Sequence, residues 1–411
     1  MSAFIPDDPV HPSAAPHTSQ EQQEEIQEQK HFQRVCTSFA QHAFFQHASV
    51  ANQTARLSGL SPPQRALLPE SLDPSSASHL ARSDAHRAAA DANQRFFDAL
   101  LTHSQQPTSR DHAHYRASLG PKYVFESTSD MDKVKSVLKS LVRDWSAEGA
   151  AEREQCYSPV VAGLSAHLPR RGRVLVGGAG LGRLALELAA RGFAVQGNDV
   201  SYHMLMASDF LLNCCGGESG TFGIAPFVGG TCNLARAEHA VRRVQVPDVD
   251  PAALLNSAAT PPDFSMAAGE FLDCYQKDTE RGAWDGVASC FFLDTAVYVG
   301  DYVRCIYDML RPGGVLVNLG PLLWHWSGGG AGARPDDEQL GCSRGVEPRY
   351  LQSIDMTYED LREIMVKVGF EIVEEKRGLS CSYTRDVESF MHTQYTCVYF
   401  VARKPQVKSE P

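Results

Sequence analysis

The chain contains no apolar run approaching the roughly 20 residues needed to span a bilayer. Its first twenty residues, MSAFIPDDPVHPSAAPHTSQ, lack the basic start and apolar core of a secretory signal. A cytosolic or nuclear protein with no membrane partner is expected. Basic excess is missing as well: 38 Lys and Arg face 49 Asp and Glu, a formal net charge of −11. That balance disfavours recognition of a phosphate backbone, so no nucleic acid is expected as a partner, and no basic cluster of the kind that signals nuclear import stands out. The eleven cysteines include no C-x-x-C pair, which excludes an evident disulfide framework or zinc site. Most are expected to be small buried side chains in a reducing compartment. Fifteen histidines offer no H-x-x-x-H beside acids, and no metal is expected. What remains is the composition of a globular protein of 411 residues, enough for two modest domains or one elaborated one.

Against these absences stands one well-formed unit, RVLVGGAGLGRLALELAARGFAVQGNDV at 173–200. Val174, Leu175 and Val176 suit a buried parallel strand, and Gly178, Gly180 and Gly182 follow where the backbone must turn sharply. Leu181, Leu184, Leu186, Leu188 and Ala189 recur near helical spacing, Gly192 ends the helix, and a second strand leads to Asp199. A dinucleotide fingerprint requires G-x-G-x-x-G, yet the sixth place counted from Gly178 is Arg183. NAD is therefore disfavoured. S-adenosylmethionine carries no phosphates, needs a tight turn for its amino-acid end, and uses a carboxylate after the next strand for its ribose hydroxyls, where Asp199 stands. The plainer alternative is a glycine-rich turn in an unrelated α/β domain, with Asp199 capping the next helix.

Residues 1–30 read as a disordered tail rich in Pro, Ser, Gln and Glu, running into a helix from Gln29 to Leu57 that ends before Pro62-Pro63. Further helices are expected over Ser83 to His103 and Met131 to Trp145, which makes 31–145 a helical N-terminal region. After the glycine unit come a helix from Tyr202 to Leu212, an irregular insertion over 214–262, a strand running through Phe264 to an acid at Glu270, and a strand from Trp284 to Leu293 with Asp294 at its end. A helix from Tyr302 to Leu310 turns through Arg311-Pro312-Gly313-Gly314 into the strand Val315 to Leu319. A second irregular loop, 327–348, precedes a helix from Tyr358 to Val368 and closing strands over Phe370 to Glu375 and Thr396 to Val401. The alternation implies a doubly wound parallel sheet over 146–404, with 405–411 as a tail. In such sheets ligands lie beyond the carboxyl ends of the strands, so Gly178, Asp199, Glu270 and Asp294 should share one crevice, with His325 on the same side.

With these residues in place the chain resembles the carnosine N-methyltransferase family of class I methyltransferases over roughly residues 30–404. The runs that carry the resemblance are VRDW at 142–145, VLVGGAGLGRLALELA, GFAVQGND, PDVDP at 247–251, SMAAGEF, WDGVASCFFLDTA, LRPGGVLVNLGPLLWH and YTCVYFVARKP. The resemblance implies a Rossmann-like seven-stranded α/β methyltransferase domain with an added helical region, S-adenosylmethionine as cofactor, and methylation of the imidazole in a β-alanyl-histidine dipeptide, carnosine to anserine. It implies cofactor contacts at Ser140, Arg143, Gly178, Gly180, Asp199, Glu270, Phe271 and Cys290, although Ser140 stands where the family carries Gln. For the substrate it points to Asp294, His325, Tyr383 and Tyr395. The loop 327–348, next to His325, looks longer and richer in glycine than its counterpart.

Each residue also has a plainer role. Asp294 can cap a helix, Glu270 can be a solvated loop acid, Arg143 a surface charge, Cys290 core packing, and Tyr383 and Tyr395 ordinary strand aromatics. His325, between Trp324 and Trp326, can be a packed histidine. The leading expectation is an enzyme acting on a small histidine-containing dipeptide, with a homodimer left open. Its alternatives are methylation of histidine in a peptide or protein, and a non-catalytic cofactor-binding scaffold. The absence of D/N-P-P-Y at the strand end before Asp294 weighs against nucleobase or glutamine methylation.

Overall fold

The computed structural model describes residues 20–113, 128–216, 221–257, 263–326 and 353–406. Seven strands form one sheet: β1 Arg173–Gly177, β2 Ala194–Asp199, β5 Asp263–Ala268, β6 Trp284–Cys290, β7 Leu310–Gly320, β8 Glu371–Ser382 and β9 Gln394–Arg403. Their spatial order is β5-β2-β1-β6-β7-β9-β8. The pairs from β5 to β7 are parallel, whereas β9 runs antiparallel to both β7 and β8. This is the sheet of a class I methyltransferase, with its order reversing between β1 and β6. A separate antiparallel pair, β3 Phe222–Ile224 and β4 Val244–Val246, belongs to the segment between β2 and β5.

Both faces of the sheet are covered, which is why its central strands are apolar on either side. Val174, Val176, Val315 and Val317 pack against Val160 and Leu164 of the helix Ala150–His167 and Leu184 and Leu188 of the helix Arg183–Ala190. On the opposite face Leu175, Val287 and Leu316 meet Val303 and Ile306 of the helix Val299–Met309 and Leu361 and Met365 of the helix Tyr358–Val368. The N-terminal helices Gln20–Ala40, Ala77–His103 and Thr128–Trp145 bury Phe39, Phe96, Phe97, Leu138 and Leu141 in one cluster with Met206, Phe210 and Leu211 of the helix Tyr202–Cys214. Asn93 pairs both backbone groups of Ala225, donating to its carbonyl at 2.9 Å and accepting its N–H at 2.7 Å. The helical region is thereby built into the same core as the strand pair.

Several expectations are corrected. Helix begins at Gln20, inside the stretch read as a tail, and the helix expected from Gln29 to Leu57 is two, Gln20–Ala40 and His42–Ser58, broken at Gln41. Ser61 then caps a short helix that starts at Pro62, because proline lacks only an N–H that the first turn does not use. The insertion over 214–262 carries β3, β4 and the helix Pro251–Asn256. The strand expected to reach Leu293 stops at Cys290, since Phe291 adopts the left-handed region at φ +56°. Arg311-Pro312-Gly313-Gly314 lies within β7, and β8 runs seven residues beyond Glu375. The helix Ala150–His167 was not anticipated. The loop 327–348 lies outside the described residues.

Candidate active site

The glycine turn is held from three sides. Gly178, Gly180 and Gly182 have φ of +62°, +54° and +79°, a region that L side chains rarely enter. A Cβ on Gly178 would stand 2.7 Å from the Phe292 ring, so the first glycine is needed for close packing, while one on Gly180 would meet nothing within 4 Å. The open side above Gly180 is where a ligand can approach the backbone. Asp199, at the tip of β2, accepts the N–H of Gly180 at 2.8 Å through one carboxylate oxygen and that of Ser201 at 2.9 Å through the other. Burial pushes the Asp199 carboxyl above the usual range, and these N–H groups oppose the shift.

Arg183, the residue that replaces the third glycine of a dinucleotide turn, is an anchor. Its guanidinium donates to Asp248 at 2.6 Å and to the Asp144 carbonyl at 2.9 Å. Asp248 also accepts from Arg153 at 2.5 Å, and Trp145 donates its indole N–H to the Leu181 carbonyl at 3.1 Å. The runs VRDW and PDVDP are thus clamped onto the glycine turn by buried charge pairs.

That clamp aims Arg143 into the cleft. Its Nε and Nη2 donate to the Asp144 carboxylate at 2.7 and 2.9 Å, a bidentate pair, and Tyr157 donates to the same carboxylate at 2.8 Å. Burial works against the Arg143 charge, but Asp144 outweighs it and holds the guanidinium above its ordinary pKa. An open cleft, continuous with solvent, lies between Arg143, Glu152, Tyr157, Gly177, Gly178, Cys290 and Phe291. The Cys290 thiol is pushed up to about 12 by burial, so it is a neutral wall.

Beyond Arg143 the cleft ends in aromatic rings. The guanidinium lies 5.2 Å from the centroid of Tyr383, whose ring is 5.0 Å from Phe291 and 5.7 Å from Tyr395. Phe291 and Tyr395 are 5.9 Å apart. Asp294, beyond the end of β6, is 2% exposed, accepting the Leu323 N–H at 3.0 Å through its carboxylate and the His325 N–H at 3.0 Å through its carbonyl. Burial raises its pKa, with the Leu323 N–H and His325 opposing. Three non-glycine residues at strand ends here, Phe291, Trp324 and Thr384, hold φ of +56°, +46° and +49°. Such backbone costs of order 1–3 kcal/mol each and persists where surrounding structure over-determines it.

Most of the expected residues therefore fall into two groups. Arg143, Gly178 and Cys290 line the cleft, with Gly180 and Asp199 joined at its glycine turn. At the far end Tyr383 adjoins Tyr395, Asp294 is within electrostatic reach of Tyr395, and His325 is held to Asp294 through the backbone. Glu270 caps the helix Phe271–Tyr275 through the N–H groups of Leu272 and Asp273 at 2.8 and 3.1 Å. The Phe271 ring is packed among Tyr275, Phe292 and Tyr302, so only its backbone faces outward chemistry. Ser140 is buried one turn before Arg143 and does not line the cleft. Sequence reasoning missed Asp144, Glu152, Tyr157 and Phe291. Asp144 lay in view within VRDW, next to an arginine it could pair; Glu152 and Tyr157 sit on the unanticipated helix.

The cleft fits S-adenosylmethionine: an unobstructed turn at Gly180, a carboxylate at the end of β2 for ribose hydroxyls, and an oriented guanidinium for a carboxylate. A family profile described as carnosine N-methyltransferase matches residues 122–406. Carnosine N-methyltransferase of Mus musculus is 36% identical over 403 residues, covering 96% of this chain and 91% of that protein. The Drosophila melanogaster protein named carnosine N-methyltransferase unmet is 38% identical over 286 residues, 68% of this chain and 56% of that one. Carnosine N-methyltransferase of Schizosaccharomyces pombe is 36% identical over 284 residues, 68% and 72% of the two chains. With cleft geometry, sheet order and these matches in agreement, the chain belongs to the carnosine N-methyltransferase family and is an S-adenosylmethionine-dependent N-methyltransferase.

Proposed function

We propose that the chain methylates carnosine on its imidazole ring, giving anserine. The observation that carries this reading is the cluster of Phe291, Tyr383 and Tyr395 rings, with the buried Asp294 carboxylate within electrostatic reach of Tyr395, a set suited to a flat heteroaromatic ring bearing one N–H. Bound S-adenosylmethionine supplies an electrophilic methyl group on a sulfonium. Imidazole, with a pKa of roughly 6.5, is largely neutral at pH 7, so the protein has to align it and fix its tautomer. Asp294 accepts the N–H of one ring nitrogen and leaves the lone pair of the other toward the donor. Once that nitrogen is methylated, the ring becomes a cation and the Asp294 carboxylate takes the proton from the nitrogen it holds. Burial of Asp294 brings its proton affinity closer to that of the ring, which favours this transfer.

The segment that follows the Tyr383 loop is tied to the insertion between β2 and β5. Leu234 bridges to Ser389, Phe390 donates its N–H to Asn233 at 2.7 Å, and Arg242 joins Glu148 to Asp386. Labelled methyl transfer to carnosine, with the methylated ring nitrogen read by NMR, tests the reading. Label in histidine-containing proteins but none in carnosine would overturn it.

A further inference from the structure

The turn after β8 presents four successive backbone N–H groups, and every one has a partner. Ser382 donates to Gln155 Oε1 at 3.1 Å, Tyr383 to the Thr393 carbonyl at 3.1 Å, Thr384 to Glu152 Oε1 at 2.6 Å and Arg385 to Glu152 Oε2 at 3.1 Å. Two side chains from one turn of the helix Ala150–His167 thus hold three of the four. Thr384 is the residue with φ +49°, a conformation that a threonine adopts only when something fixes it. Glu152 is 8% exposed, a costly place for a carboxylate, and among the described residues its hydrogen bonds are to these two N–H groups. Among the described residues Glu152 alone accepts both N–H groups, and the loop they belong to carries Tyr383 against Phe291, Tyr395 and Arg143.

We infer that Glu152 is a positioning residue for methyl transfer: its carboxylate clamps the backbone of Thr384 and Arg385 and so sets the Tyr383 ring at the acceptor end of the cleft. This rests on the reading of Tyr383 as a substrate contact. Glutamine at 152 keeps the shape but turns an NH2 toward one of the two donors, leaving that N–H unpaired and the strained turn half released. Gln155, whose amide holds Ser382 alone, supports the same turn more weakly.

The test is a double-mutant cycle on kcat/KM for carnosine between Glu152→Gln and Tyr383→Ala, with S-adenosylhomocysteine affinity measured by calorimetry on each variant. Glu152→Gln is expected to lower kcat/KM about ten- to a hundredfold with cofactor-product affinity within about twofold of the parent. In the Tyr383→Ala background the same substitution should cost less than threefold, because the ring it positions is gone. Equal losses in both backgrounds, or a loss confined to S-adenosylhomocysteine affinity, would overturn the inference. An unchanged kcat/KM in Tyr383→Ala alone would instead sink the assignment of Tyr383. If Glu152→Gln does not fold, Gln155→Ala serves in the same cycle, with a smaller loss that must likewise vanish in the Tyr383→Ala background.

Discussion

The backbone N–H of Gly180 meets the carboxylate of Asp199 at 2.8 Å, joining the glycine turn to the tip of β2. The acid that would receive ribose hydroxyls is therefore also the brace of the turn beneath them. The two roles predict a joint effect. Asp199→Ala removes hydrogen bonds to a charged group, worth roughly 1.5–3 kcal/mol, so S-adenosylhomocysteine affinity should fall about ten- to a hundredfold. Because Gly180 and Ser201 lose their acceptor, the melting temperature without ligand should fall as well. Calorimetric titration beside a melting curve reads both; a lower melting temperature with affinity intact would remove Asp199 from the cofactor site.

Asp294→Asn should separate stability from turnover. The amide oxygen can still accept the Leu323 N–H, but an amide cannot take a proton from the imidazole, so kcat should fall at least about a hundredfold with S-adenosylhomocysteine affinity unchanged. Burial raises the Asp294 pKa in the fold, so keeping the carboxylate ionised in the native state costs stability at neutral pH. Asn carries no such cost. The variant should melt higher than the parent at pH 7, and the gain should shrink as pH falls through the raised folded pKa toward the ordinary aspartate value. Parallel melts across that window check the sign, and a variant less stable at pH 7 would show that the carboxylate is held favourably after all.

The placement of several of these residues was legible because it follows from local chemistry. Gly178 and Asp199 are set by a strand, a turn and a strand written in one run, and Asp294 and His325 follow from strand ends that a parallel sheet brings together. Arg183 was read correctly as the loss of a dinucleotide turn, yet its pairing with Asp248 joins residues 65 apart and no local pattern announces it. The helix Ala150–His167 escaped notice for a similar reason: Pro159 sits inside it, and its polar residues Glu152, Gln155 and Tyr157 face a loop more than two hundred residues away or the VRDW end of the helix Thr128–Trp145. Phe291 is the clearest tertiary override. A strand-forming aromatic is forced left-handed so that its ring joins Tyr383 while Phe292 packs under Gly178.

Asp248 should be the weakest point of the frame. It receives Arg153 and Arg183, whose side chains are 7% and 6% exposed, so Asp248→Ala leaves the buried Arg153 without its carboxylate and Arg183 with Glu187 alone. Removing one partner of such a network typically costs about 3–5 kcal/mol. Urea unfolding should show a loss of that size, with S-adenosylhomocysteine binding weakened because VRDW is no longer clamped to the glycine turn. A loss under about 1 kcal/mol would mean that solvent already carries these charges.

Gly180→Ala tests where the cofactor lies. Its φ of +54° makes any side chain cost roughly 1–2 kcal/mol, but a Cβ there meets no protein atom within 4 Å, so the fold should tolerate the change with a modestly lower melting temperature. At Gly178 the same substitution adds a collision with the Phe292 ring at 2.7 Å on top of its own positive φ, and the stability loss should be larger. The order should reverse for binding once stability is accounted for. A methyl group on Gly180 occupies the open side of the turn, where the amino-acid end of S-adenosylmethionine has to approach the backbone, so affinity for S-adenosylhomocysteine should drop at least about tenfold in a protein that remains folded. Should Gly180→Ala bind S-adenosylhomocysteine as tightly as the parent, the ligand does not pass over Gly180, and the cofactor must lie closer to Arg143 and Cys290 than the turn geometry implies.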